Sequence, residues 1–467
     1  MAGKPKIVVI GAGSASFGLS VLGRLLLEPG LEGSTLCLVD TLPGGLQKIE
    51  ALASRMNREW NSGFRIVCST DRCEVLADAD FVILSIAIDR EKCWRRDEQI
   101  ARHYGIEHYA ENGGPGAFAH TARNLAVVME IVRDIERLAP DAWLLNFTNP
   151  VPRICYAVSR YSRLKTIGIC HQISFGYLML GVILGKSLGF NIPEGFRFRW
   201  EDPDRERLSR LISSQAEARI DIHAAGLNHF TWMLGIRDRQ TGEDLYPLLW
   251  RELEKADPGF EPLTCEVARI FNLFPVPGDC HMCEYLPYTH NQSRGVWKHY
   301  DIQGYDLDLA SRKRDRLWEE IDGMARGKVS IDPLRDEPSE RAEKVIAALV
   351  QDSHSYEQAL NLPNCGYIQN LPEGAIVEVP ATVGVHGPLG HAVGSLPEPV
   401  AELCRRQALL AQLSVEAAVE GDEGKALQTL ALDPMVDDPR VARQLLMDYL
   451  EEFREYLPQF RKNGIKS

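Results

Sequence analysis

The sequence predicts an α/β protein: a doubly wound parallel sheet over about the first 175 residues, followed by an α+β part over the remainder. Three observations carry this expectation. Short apolar runs alternate with helical patterns as far as residue 170, and a glycine-rich turn joins the first run to its helix. Beyond that point the pattern changes to paired extended segments and long helices.

Lys6–Ile10 is a continuous apolar strand, and Phe17–Leu27 is the helix after it. Thr35–Asp40 is a second strand that ends in an acid. Phe81–Ile86 and Ala142–Phe147 are further apolar strands, with a helical pattern from Ala119 to Leu138 between them, and Lys165–Cys170 is another. Such uninterrupted apolar runs suit strands covered by helices on both faces. Downstream, Asp221–Gly226 and His229–Asp238 are extended, with Gly and Asn between them. Tyr305–Gly327 and Ser339–Asp352 are helical, and Gly374–Pro380 reads as a strand ended by its proline. Glu398 to Phe460 reads as two amphipathic helices, with breaks at Gly421-Asp422 and Asp433-Pro434. The expected domains are 1–175, for a nucleotide, and 176–467, for metal, substrate and oligomer contacts.

Composition narrows the partners. The 467 residues carry a net charge of −13, which argues against nucleic acid or an anionic membrane as a general partner. No apolar run reaches the ~18 residues of a membrane span. The start, Met1-Ala-Gly-Lys-Pro-Lys6, runs into a strand without a signal-peptide pattern, so a cytoplasmic setting is expected. Eleven scattered cysteines do not resemble a disulfide framework, and Cys280 and Cys283 form a C-x-x-C pair without the second pair of a structural zinc site.

Gly11-Ala-Gly-Ser-Ala-Ser16 follows a strand and opens a helix. Gly11 permits the tight turn, and Gly13 lets a pyrophosphate approach the amides at the helix N-terminus. Ser16 stands where the Rossmann fingerprint has its third glycine. Asp40 lies 29 residues after Gly11 at the end of the second strand, where a carboxylate accepts ribose hydroxyls and repels a 2′-phosphate. Gly11, Gly13, Ser14, Ser16, Phe17 and Asp40 are therefore the candidate contacts for a dinucleotide, NAD rather than NADP.

Asn149, in Asn146-Phe-Thr-Asn-Pro150, and Cys170-His171 end neighbouring strands at the carboxyl edge of the sheet, where such folds bind ligands. A thiolate at Cys170 and an imidazole at His229 are soft and borderline donors that could share one divalent metal. Glu111-Asn112 precedes Gly113-Gly-Pro-Gly116, a loop able to cover a ligand at this edge. Arg90, Arg95 and Arg96 follow the Phe81–Ile86 strand. An inward-pointing arginine there would make a uronic acid a plausible substrate; more often such arginines are solvated or bind the cofactor phosphates.

Over nearly its whole length the chain resembles the NAD- and metal-dependent glycosidases of glycoside hydrolase family 4. The resemblance rests on the N-terminal glycine turn, Gly113-Gly-Pro-Gly116, Asn149-Pro150, Cys170-His171 and Gly226-Leu-Asn-His229. Pro277-Gly-Asp279, His281-Met-Cys-Glu-Tyr-Leu-Pro287, Asn361-Leu-Pro-Asn-Cys-Gly366 and Val377-Glu-Val-Pro380 follow in the same order. It implies a lactate/malate dehydrogenase-like architecture and a route outside the two-carboxylate scheme. NAD⁺ takes a hydride from C3 of the sugar, a base removes the acidified C2 proton, and the leaving group departs from C1. Water then adds and the hydride returns, without net redox.

By the same resemblance Cys170 and His229 are the ligands of Mn²⁺ or another divalent metal, and Asn149 holds the substrate hydroxyls. His171 matches the acid that assists departure. Asp279 matches a base position of the α-glucosidase branch, with Tyr285 and His281 as alternatives. Phospho-glycoside branches carry Asn or Asp in place of His171, so the expected substrate is a small unphosphorylated glycoside, most simply an α-glucoside or α-galactoside. Gln172 departs from the Ser or Gly usual in those two branches, and roughly thirty extra residues, Leu184–Gln215, read as a surface excursion, with a lid or oligomer contact as the alternative. The family implies a homodimer or homotetramer. Two other readings stay open: a lactate/malate-type or sugar dehydrogenase with net redox, and a nucleotide sensor without turnover.

Overall fold

The computed structural model describes residues 4–461 except 194, 195, 197, 198, 200, 201 and 203; the side chains of residues 16–20 also lie outside the description. Among the described residues twelve strands form one sheet: β1 (Lys6–Ile10), β2 (Thr35–Val39), β3 (Arg65–Ser69), β4 (Phe81–Leu84), β5 (Trp143–Asn146), β6 (Lys165–Gly168), β7 (Ile220–Leu227), β8 (Phe230–Asp238), β9 (Phe274–Pro275), β10 (Ser355–Pro363), β11 (Ile376–Gly384) and β12 (Gly387–Gly390). Their order is β3-β2-β1-β4-β5-β6-β10-β11-β7-β8-β9, with β12 on β11. The first six are parallel; from the β6–β10 junction onward neighbours are antiparallel.

The parallel half is buried on both faces. Val8 and Val82 face one core with helix Gly114–Leu138, while Ile7 and Val9 face another with the helices Ala15–Leu27 and Pro43–Glu59. The strand order reverses between β1 and β4, so ligands are expected at the carboxyl ends there.

Several elements differ from the sequence expectation. β3 was not anticipated, because Arg65-Ile-Val-Cys-Ser69 is a half-exposed edge strand with no continuous apolar face. Helix Arg90–His103 hides its amphipathicity under eight charged residues plus a histidine, yet it buries Cys93, Trp94, Asp97, Ile100 and Ala101, roughly one face at helical spacing. β11 runs through Pro380 instead of ending at it. The β10–β11 register shifts between Glu357 and Leu360, so Pro380 sits opposite an irregularity where no amide hydrogen is needed. The C-terminal region holds three helices, Glu398–Glu420, Glu423–Leu432 and Pro439–Glu452, and a short turn Pro458–Arg461, because each of the two breaks ends a helix.

The excursion Leu184–Gln215 lies partly outside the described residues, at 194, 195, 197, 198, 200, 201 and 203. Its described end is not a surface loop: helix Arg205–Arg219 packs on helix Ile173–Leu188 and buries Ile212 and Ala216. Gly181 permits that approach, since a Cβ there would lie 2.5 Å from Ile212 Cγ2.

One register row crosses four strands at the junction of the two halves: Gly168 (β6), Asn361 (β10), Glu378 (β11) and Gly226 (β7). A Cβ on Gly168 would sit 2.7 Å from Asn361 Cβ and 2.6 Å from Val151 Cγ1, so the row is packed too tightly for a side chain at that end.

Candidate active site

The glycine turn after β1 is built around Asp40. Gly11 adopts φ +95°, and a Cβ there would lie 1.9 Å from the Ser85 carbonyl oxygen. The Gly13 amide donates to Asp40 Oδ2 at 2.9 Å and the Leu42 amide to Oδ1 at 2.9 Å. Ser14 is the N-cap of helix Ala15–Leu27 and makes no side-chain cap bond, so the first-turn amides are available to an anion. This cradle fits the pyrophosphate and ribose of a dinucleotide. Ser16 and Phe17 are helical, but their side chains lie outside the described residues. Gly11→Ala is expected to cost at least about 2 kcal/mol through its left-handed φ and the carbonyl clash. Thermal melting should show a lower Tm and no shift on adding NAD⁺.

A cavity of ≈ 280 Å³ opens at the carboxyl edge of β4, β5 and β6 and is walled by the β7–β8 hairpin and by residues 109–112 and 280–281. Cys170 and His229 meet there, Sγ to Nε2 at 3.3 Å. His229 occupies the two-residue turn that joins Leu227 to Phe230 and has φ 60°, a backbone state that His tolerates better than branched residues. Burial, with His281 and His171 nearby, pushes its imidazole well below the ordinary range and keeps it neutral, the ligating form. Its Nδ1 is buried without a partner.

The pair fits a shared divalent cation. An ion about 2.3 Å from a thiolate and about 2.1 Å from an imidazole nitrogen sets the two donors about 3.1–3.6 Å apart for angles between right and tetrahedral. Burial, then Glu340 and Glu378, pushes the Cys170 thiol up, so a cation is the charge that would hold it ionised. Among the described residues no group of three or more His, Cys, Asp and Glu could hold a metal, so the site offers two protein donors and leaves positions for substrate oxygens.

Asn149 lines the same cavity and donates from Nδ2 to Glu111 Oε1 at 2.9 Å. Glu111 is buried, its carboxyl is raised by desolvation, and its Oε2 has no partner. It is thus a ready partner for a ligand hydroxyl. The Asn112 amide donates to Glu284 Oε1 at 3.1 Å. Glu284 Oε2 lies 2.6 Å from His281 Nδ1, and the His281 ring stacks on His229 with centroids 4.3 Å apart. His171, with a side chain 64% exposed, approaches Glu340 with Nδ1 at 3.3 Å; that carboxylate raises the histidine and favours its protonated form.

Two of the three base candidates are not brought to the cavity. Asp279 accepts the backbone amides of Leu263 and Thr264 at 3.2 and 2.7 Å, supplying acceptors to the first turn of helix Pro262–Phe271. Its own amide donates to half-buried Glu261 at 2.6 Å. Tyr285 is buried against Phe230, centroids 4.9 Å apart, and lines a separate small cavity with Asn112 and Arg153. His281 alone of the three lines the main cavity. Asp279→Ala is therefore expected to behave as a lost helix cap, costing about 1 kcal/mol in denaturant melts, whereas His281→Gln should cut kcat by about 10²-fold or more.

Glu284, Glu340 and Glu378 escaped sequence reasoning as site partners. Glu378 accepts Asn228 Nδ2 at 2.7 Å, Thr231 Oγ1 at 2.8 Å and Asn361 Nδ2 at 3.0 Å, which braces the hairpin carrying His229 against β10. For Glu284 and Glu378 the quoted His281 and Val377 motifs contained the residue; for Glu340, no local pattern singles it out.

Comparison with known proteins gives the family. A model of the family 4 glycosyl hydrolases matches residues 6–180, and a model of that family's C-terminal domain matches residues 224–436. The chain is 28% identical over 489 residues to an alpha-glucosidase of Erwinia rhapontici, covering 94% of this chain and 96% of that protein. It is 27% identical over 468 residues to an alpha-galactosidase of Bacillus subtilis, covering 98% and 100%. A solved 6-phospho-alpha-glucosidase from gut microorganisms, in complex with NAD and Mn²⁺, superposes with a TM-score of 0.77 at 24% identity over 98% of this chain and 100% of its own. With the nucleotide-turn half and the hairpin half each matched by its models, the chain belongs to glycosyl hydrolase family 4.

Proposed function

We propose that this enzyme hydrolyses a small, unphosphorylated α-glycoside with NAD⁺ and a divalent cation such as Mn²⁺ as its cofactors. The observation that carries the reading is the Cys170–His229 pair, 3.3 Å apart, opening into the cavity that also holds Asn149 and Glu111. Support comes from the relatives, named for α-glucoside and α-galactoside cleavage, and from the neighbour complexed with NAD and Mn²⁺.

When bound, the two groups supply reversible hydride acceptance at a sugar carbon and stabilisation of negative charge on adjacent sugar oxygens. The chain's residues do the rest. Asn149, held by Glu111, orients the hydroxyls that reach the metal. His281, fixed by Glu284, is the base for the C2 proton, and His171, kept protonated by Glu340, gives its proton to the departing oxygen. Asp40 and the Gly11–Gly13 turn seat the dinucleotide.

All eleven cysteines are free thiols, which supports a reducing, cytoplasmic setting. No described helix is long and apolar enough to cross a membrane. A homodimer or homotetramer is supported by exposed apolar residues at the free end of β10–β12, where Tyr356 and Leu389 flank Thr382 in one register row. A division near residue 175 is supported by the change from parallel to antiparallel pairing at β6, just before helix Ile173–Leu188.

The deciding experiment is release of p-nitrophenol from a panel of α- and β-glycosides with NAD⁺, Mn²⁺ and thiol each omitted in turn. Turnover that needs all three and accumulates no NADH is expected. Stoichiometric NADH without cleavage would make the chain a dehydrogenase instead.

A further inference from the structure

Arg90 opens the helix Arg90–His103 beyond the carboxyl end of β4 and lines the cavity of Cys170 and His229. Its guanidinium carbon lies 4.1 Å from the Trp94 ring centre and 5.8 Å from that of Tyr305. A guanidinium over the Trp94 ring, with the nearly perpendicular Tyr305 ring beside it, is held in position by the two aromatics, and its donors remain available to a ligand. The neighbouring arginines of the helix are engaged at the surface: Arg95 with Glu91 and Asp308, Arg96 with Glu452. Among the described residues Arg90 forms no salt bridge, although its charge reaches buried Glu111 across the cavity, so a guanidinium with no carboxylate at ion-pair distance faces the substrate cavity.

We propose that Arg90 reads a carboxylate on the sugar, which makes the substrate a glycosiduronic acid. The inference rests on the glycosidase reading above and names its substrate class. The cavity's other charges favour a single negative charge over two. Glu111 and Glu340 also line it, and the exposed His171 is already paired with Glu340. A phosphate monoester would bring about −1.5 to −2 charges against one free guanidinium beside two carboxyl groups. A carboxylate brings one charge and matches the two-donor edge of arginine.

The test is isothermal titration of the enzyme loaded with NAD⁺ and Mn²⁺, using D-galacturonate, D-galactose and D-galactose 6-phosphate, with the gluco series alongside. The uronate is expected to bind about 10- to 100-fold more tightly than the neutral hexose. Arg90→Gln should erase that preference. Arg90→Lys should keep part of it, because lysine retains the charge but not the paired donors. A uronate that binds no more tightly than the hexose, or a preference that survives Arg90→Gln, overturns the proposal. So does tightest binding of the 6-phosphate, or weakened NAD⁺ binding in Arg90→Gln with the sugar preference intact. The p-nitrophenyl panel separates the two levels: cleavage of neutral glycosides without uronide preference defeats only the role of Arg90, while absence of any glycoside cleavage defeats the glycosidase reading.

Discussion

Replacing Cys170 with alanine is expected to lower kcat/KM by about 10³-fold or more and to abolish stabilisation by Mn²⁺. The reasoning is electrostatic. A cation beside the reacting sugar contributes several kcal/mol of charge stabilisation, and each 1.36 kcal/mol lost is a tenfold loss in rate. On the proposed assignment of Cys170 and His229 as the two protein donors, losing the thiolate removes half of the protein's hold on the ion and the anionic member of the pair. The wild-type Tm should rise with Mn²⁺ concentration, as for any ligand that binds only the folded state, and the variant's should not. Cys170→Ser, which keeps volume but not a soft anion, should resemble the alanine variant. Equal Mn²⁺-dependent melting curves for Cys170→Ala and wild type would remove Cys170 from the metal site.

Glu378→Ala is expected to destabilise the fold by about 3–5 kcal/mol, read as a shift in the urea midpoint. Its carboxylate is buried without a cationic partner, its acid is pushed up by desolvation, and it is offset only by three donors: Asn228, Thr231 and Asn361. Deleting it leaves the Asn228 and Asn361 amide donors in a nearly closed space, whereas the Thr231 hydroxyl can turn to the Leu227 carbonyl oxygen at 2.9 Å, and each unsatisfied group costs about 1–3 kcal/mol before relaxation. Glu378→Gln should be far milder, about 1 kcal/mol. The buried amide oxygens of Asn228 and Asn361 have no partners, so either side chain can turn its oxygen toward a glutamine NH₂. Both variants should also weaken Mn²⁺ binding, alanine more than glutamine, because Asn228 precedes His229 in the turn. Unchanged metal affinity in Glu378→Ala would mean that the hairpin holds its shape without this brace.

The parallel half was legible because its strands are buried on both faces and therefore spell uninterrupted apolar runs. β3 lacked that property, and so did the heavily charged helix that presents Arg90. Pro380 misled because proline was read as a terminator, whereas a register shift on the facing strand removes the need for its amide. The meeting of Cys170 and His229 was legible from two short motifs. The carboxylates around it were harder to read, because the fold brings Glu340 and Glu378 to His171 and Asn228 from more than a hundred residues along the chain. Asp279 shows the converse: a carboxylate in a suggestive turn that the fold spends on a neighbouring helix end.

The strand order has a consequence for how this molecule comes into being. β10 and β11 lie in the sheet between β6, which leads to Cys170, and β7, which leads to His229. A growing chain that has already made both donors still lacks the two strands that belong between them. The nucleotide cradle draws on residues before 86 and can assemble early, but the row Gly168–Asn361–Glu378–Gly226 waits for residues synthesised much later. The sheet junction is thus a long-range, slow-forming closure, and during synthesis the exposed edge of β6 is the surface on which a chaperone or a misplaced strand would act.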